Sequence, residues 1–70
     1  MIILNLEKEL YPKWAISKAI IDYEQLSKII LLENTTQWKC LFRKCKKDQN
    51  MTIHEFENYI INIMNDRIKV

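Results

Sequence analysis

The chain contains no glycine, one proline (Pro12), two cysteines and one histidine in 70 residues. Without glycine there is no phosphate-cradling glycine loop. Turns instead fall to Asn, Asp, Ser and Thr, whose side chains can bond the nearby backbone. The sparse cysteine and histidine fall short of the about four ligands that zinc takes, and no CxxC or HxxxH spacing is present. Cys40 and Cys45 would point to opposite faces of one strand, so no disulfide is expected between them. No stretch approaches the ~20 consecutive apolar residues that span a bilayer. The opening Met1-Ile-Ile-Leu-Asn-Leu-Glu7 lacks a basic start, and an acid interrupts it early. It reads as the first strand of a cytoplasmic protein rather than a leader. A net charge of +2, from 11 Lys and Arg against 9 Asp and Glu, is too small to imply a nucleic-acid partner by itself.

What is present is apolar residue in quantity, 49% hydrophobic against 29% charged, enough for one folded domain spanning residues 1–70. Such a short chain buries only about 60% of the surface its unfolded form exposes. Its core is thin, which disfavours a large catalytic cleft and favours a dimer or partner surface.

Ile2, Leu4 and Leu6 alternate with Ile3, Asn5 and Glu7, which predicts a strand with one buried face. Pro12 suits a first helical turn, and Ile16, Ala19, Ile20, Tyr23 and Leu26 recur at helical spacing. A helix is expected over 12–25. Lys28 to Glu33 is short, β-branched and apolar on both parities, a strand by that pattern. After a turn at Asn34-Thr35, residues 36–45 alternate Trp38, Cys40 and Phe42 with Lys39, Leu41 and Arg43, as the return arm of a hairpin would. Residues 46–50 read as a polar loop. Thr52-x-x-Glu55 has capping-box spacing, with Met51 and Phe56 at the staple positions, and predicts the start of a final helix. Ile53, Phe56, Ile60, Ile63 and Met64 form its apolar stripe. Residues 67–70 fray or add a short edge strand. The expected fold class is α+β, a two-layer β-α-β-β-α sandwich with both helices on one face of a three-stranded sheet.

No constellation for catalysis emerges. His54, placed at the second position of the final helix, has no Ser, Cys or carboxylate spaced for a relay. Glu55 and Glu57 are better explained by the positive helix N-terminus than as an acid–base pair. Cys45 sits among Arg43, Lys44, Lys46 and Lys47, a neighbourhood that alone is weak support for a nucleophile. Neither a metal nor another cofactor is expected. The basic stretch 39–47, interleaved with Trp38 and Phe42, resembles a single-strand-binding platform. Those aromatics share parity with Cys40 and the apolar side of the sheet, so nucleic acid is the alternative rather than the leading partner.

Hairpin parity carries the sharper expectation. A turn centred on Asn34-Thr35 would set Leu31 opposite Trp38 and Ile29 opposite Cys40. Ile2, Leu4, Leu6, Ile29, Leu31, Trp38, Cys40 and Phe42 then face the helices. The other face holds Ile3, Ile30, Leu32 and Leu41 with Lys39 and Arg43 at the rim, among Asn5, Glu7 and Gln37. That is a larger apolar patch than a small monomer usually exposes, so these six residues are the candidate partner-binding or homodimer surface.

The opening strand, Tyr11-Pro12-x-Trp14-Ala15-Ile16-x-x-Ala19, the hairpin, Glu55-Phe56-x-Asn58-Tyr59-Ile60 and Ile63-Met64-Asn65-Asp66-Arg67 together resemble the HxsD-like proteins. These are small accessory proteins of His-Xaa-Ser peptide-maturation systems. Ile63-Met64-Asn65-Asp66 follows the first half of the family's C-terminal signature, and Arg67 stands where that signature has tyrosine. The resemblance implies a non-enzymatic helper that binds a radical-SAM maturase, its precursor peptide or both. It carries no catalytic residues over to this chain. Any iron–sulfur chemistry would belong to the enzyme, since two cysteines cannot ligate a four-iron cluster unaided.

Overall fold

The computed structural model describes residues 2–68. Five elements follow the expected order: β1 (Ile2–Glu7), α1 (Lys13–Asp22), β2 (Lys28–Glu33), β3 (Gln37–Arg43) and α2 (Gln49–Ile68). The strands form one sheet in the order β1-β3-β2, with β3 antiparallel to both neighbours. β1 and β2 are therefore parallel edge strands joined through α1, and β3 is inserted between them.

One face of this sheet is covered. Leu6, Ile29, Cys40 and Phe42 are buried with Ala15, Ile16 and Ala19 of α1 and with Phe56 and Ile60 of α2 in a single cluster. Alanines at two of the three buried α1 positions let that helix approach closely. Aromatic packing joins the layers edge to face. Phe42 meets Phe56 at 5.2 Å between ring centroids, and Phe56 meets Tyr23 at 5.3 Å. Tyr23 also packs on Tyr59. This is the expected α+β sandwich, with both helices on one face of a three-stranded sheet.

Several expectations are corrected. The β2–β3 register differs by two residues: Leu31 lies opposite Cys40 and Ile29 opposite Phe42, while Trp38 pairs with Glu33. Asn34 is the reason. Its side-chain oxygen accepts from the N–H groups of Thr36 and Gln37, and its own N–H donates to the Gln37 carbonyl. Asn34 thus opens the turn, the position that asparagine prefers, and Thr35-Thr36 become its centre. A shift of two preserves parity, so each side chain keeps its expected face.

The start of α2 is also corrected. The helix begins a turn early at Gln49, because Asp48 is the cap: its Oδ2 accepts from the Met51 N–H at 3.0 Å. Thr52 lies inside the helix, and its hydroxyl donates back to the Asp48 carbonyl at 2.9 Å. Neither the capping box nor the staple forms, and Met51 is exposed. His54 is accordingly beyond the first turn. α1 starts after Pro12 and ends at Asp22 rather than Gln25. Tyr23 is held in the aromatic cluster, and its carbonyl accepts from Leu26 and Ser27 in a tight turn. β3 is shorter than expected, 37–43. Lys44 follows it with a positive φ of 52°, reversing the chain where no glycine is available. Residues 67 and 68 continue α2; the expected fraying or strand at residues 69 and 70 lies outside the described residues.

Candidate functional site

All six residues singled out for partner binding fall on the sheet face opposite the helices. Leu41, in the middle strand, pairs with Ile3 on one side and Ile30 on the other. The next row is Asn5, Lys39 and Leu32, and Arg43 lies opposite Lys28 at the end. Ile3 is 50% exposed and Leu32 48%, whereas Ile30 and Leu41 are half-buried between their neighbours. This face is apolar at its centre and carries Lys28, Arg43 and Lys39 together with Glu7, Asn5 and Gln37.

Charge is unevenly distributed along the strands. At one end Lys28, Arg43, Lys44, Lys46 and Lys47 gather, all exposed. The loop that carries them is anchored: the Ser27 hydroxyl donates to the Arg43 carbonyl at 3.1 Å and lies 3.2 Å from the Cys45 sulfur. The Lys46 N–H donates to the Leu26 carbonyl at 2.9 Å. At the other end Glu7 accepts from the Gln37 amide, and Glu33 pairs with Lys8. Lys8 and its hydrogen bond hold the Glu33 carboxyl below the usual carboxylate range.

The aromatics of the basic stretch are committed elsewhere. Phe42 is fully buried. Trp38 donates its indole N–H to the Tyr11 carbonyl at 2.9 Å, and Lys8 Nζ sits 4.7 Å from the Trp38 ring centroid. Phe42 offers no face for a stacked base, and the half-buried Trp38 ring is already engaged by Lys8 on the helix side of the sheet.

Both cysteines are free thiols. Cys40 is buried in the core, and burial pushes its thiol up to about 12. Such a group is a small hydrophobe rather than a nucleophile. His54 is exposed on α2. Among the described residues no group of three or more His, Cys, Asp or Glu could hold a metal ion, and no helix is long and apolar enough to cross a membrane.

No family model matches the chain, and no curated protein or solved structure is significantly similar to it.

Two features escape sequence reasoning. A groove of about 410 Å³ opens between the helices, lined by Trp14, Lys18, Tyr59, Asn62, Ile63 and Asp66. Its only advance signal is Trp14, a large aromatic lying off the apolar stripe of α1. The second is the place of Lys28 beside Arg43, which follows from the two-residue register shift.

Proposed function

We propose that this chain is a non-enzymatic, cytoplasmic accessory protein of ribosomal peptide modification, and that it binds a radical-SAM maturase, the precursor peptide or both through the uncovered face or edge of its sheet. The row Ile3, Leu41 and Ile30, with Leu32 in the next row and with Lys39 and Arg43 on either side of Leu41 along the middle strand, carries this reading. An apolar centre inside a charged rim is how interfaces commonly combine affinity with specificity. The likeness of its Tyr11-Pro12 segment and last helix to the HxsD-like proteins supplies the partner class. In this reading the enzyme brings the iron–sulfur cluster, and this chain brings only a surface.

The test begins with the neighbouring genes, which should include a radical-SAM enzyme and a short precursor peptide, and continues with a binding titration of the chain against both products. Leu32→Asp and Leu41→Asp should each abolish binding while circular dichroism and melting cooperativity stay intact. Normal binding by both variants would reduce the patch to scattered surface aliphatics.

A second reading, a nucleic-acid-binding regulator, is favoured only by the cations gathered around Arg43 and Lys28. It requires binding to random single-stranded DNA that weakens steeply with salt and disappears when Lys44, Lys46 and Lys47 are neutralised.

A further inference from the structure

β2 is an edge strand that carries charge only at its two ends, Lys28 and Glu33. Between Ile29 and Leu32 it has no charge or proline, whereas strand edges are ordinarily guarded by such residues. The other edge, β1, interposes Asn5 and ends on Glu7.

The orientation of the β2 backbone follows from the hairpin. The Asn34 N–H donates to the Gln37 carbonyl, which makes that couple a hydrogen-bonded pair. Alternation along an antiparallel ladder then turns the backbone groups of Ile30 and Leu32 towards β3, and those of Ile29, Leu31 and Glu33 outward. The outer row lies beside a cleft of about 270 Å³ between the end of α1 and β2, where Ile20, Ile21 and Ile29 line one part and Glu24, Ser27 and Lys28 the other. Ile21 is 68% exposed. Apolar surface and unpaired strand therefore coincide in both layers of the same side of the molecule.

We propose that this side is a homodimer interface, in which β2 pairs antiparallel with β2 of a second copy about a two-fold axis through Ile30. That axis sets Ile30 against its own copy on the uncovered face, and Ile29 against Leu31 of the second copy on the helix side. Lys28 falls opposite Leu32, where its aliphatic stem can lie. Apolar residues meet apolar residues, and no like charges are opposed. Moving the axis one residue to Leu31 would place Ile29 against Glu33, and moving it to Ile29 would leave Leu31 and Leu32 opposite Ser27 and Leu26, outside the copy's β2. Same-face pairing about a two-fold axis permits only such whole-residue centres, so Ile30 is the register selected by the side chains. The two sheets then form one of six strands, with an aliphatic row running Ile3, Leu41, Ile30 and back through the same residues of the copy. The cleft beside Ile21 then lies on the side that faces the copy's helix layer. This inference does not rest on the accessory role: the uncovered face stays open, and becomes twice as wide.

Sedimentation velocity over a concentration series tests it. The wild-type chain should sediment at twice its 8.5 kDa. Ile30→Lys and Ile30→Glu should each sediment at 8.5 kDa with unchanged circular dichroism, because like charges then meet on the axis. An equimolar mixture of the two should regain the doubled mass. Leu32→Asp and Ile3→Lys should remain dimeric, Leu32→Asp because its carboxylate would meet Lys28 of the copy. Should the Ile30 variants not fold, a synthetic chain N-methylated at Leu31 removes one outward N–H and should be monomeric. A monomeric wild type, including one that binds an added extended peptide instead, overturns the proposal. So does a dimer that survives Ile30→Lys, a mixture that stays monomeric, or dissociation by Ile3→Lys, which would mean face-to-face packing. Partner binding by a monomeric chain would leave the accessory reading standing, and a dimer without partner binding would leave this one.

Discussion

The indole N–H of Trp38 donates to the backbone carbonyl of Tyr11 at 2.9 Å, tying the middle strand to the segment that enters α1. The contact fixes the rim of the core and keeps the ring off the open face of the sheet. Trp38→Phe retains most of the apolar contact and leaves a part-buried carbonyl without its donor. It should destabilise the chain by about 1 kcal/mol, read as a lower melting temperature, with partner binding unchanged. Loss of binding at full stability would give Trp38 a recognition role instead.

The cap of α2 separates two helix starts by single substitutions. Asp48→Ala removes the acceptor of the Met51 N–H and should lose about 1 kcal/mol in denaturant unfolding. Glu55→Ala should change stability by less than about 0.5 kcal/mol, as expected of a surface position outside the cap. The reverse pattern would restore a start at Thr52.

Lys44 is the described non-glycine residue with positive φ, a conformation that disfavours a side chain by roughly 1–2 kcal/mol. Lys44→Gly relieves that strain and adds freedom to the unfolded chain, which offsets part of the gain. A net stabilisation of about 0.5 kcal/mol is expected in equilibrium unfolding. Destabilisation would mean that the lysine side chain contributes more than its backbone loses.

The acid limb of the stability profile follows from Asp22 and Glu33. The Tyr59 hydroxyl and then Lys18 hold the Asp22 carboxyl below its ordinary range, and Lys8 does the same for Glu33. A lowered folded value means that the contribution is complete above the unfolded value of about 4 and is lost as pH falls through the lowered one. Tyr59 is the mirror case. Its bond to Asp22 raises it, so its contribution is present below an unfolded value of about 10 and lost as pH rises through the raised one. Melting temperature measured against pH should fall at both extremes, and Tyr59→Phe should flatten the alkaline limb and weaken the acid one. The groups lie at the surface, so added salt should shrink these differences. A Tyr59→Phe profile that overlays the wild type would dismiss the pair.

The local pattern by itself determined which segments become strands and helices, and which face each strand residue presents. Ile2, Leu4, Leu6, Cys40 and Phe42 were legible as the covered side because side-chain direction alternates along any strand, whatever its neighbours. For the same reason Ile3, Ile30, Leu32, Lys39, Leu41 and Arg43 could be assembled into one surface from parity alone. Only the tertiary structure decided the strand order, the register and the helix ends. Placing β3 between β1 and β2 depends on how α1 crosses the sheet, which no local signal encodes. The register turned on whether Asn34 opens the turn or sits within it, a choice settled by the hydrogen bonds of its side chain. Asp48 and Thr52 both had the chemistry of a cap. Asp48 prevails because a helix starting there carries Thr52 inward, 4% exposed, with its hydroxyl satisfied by the preceding turn.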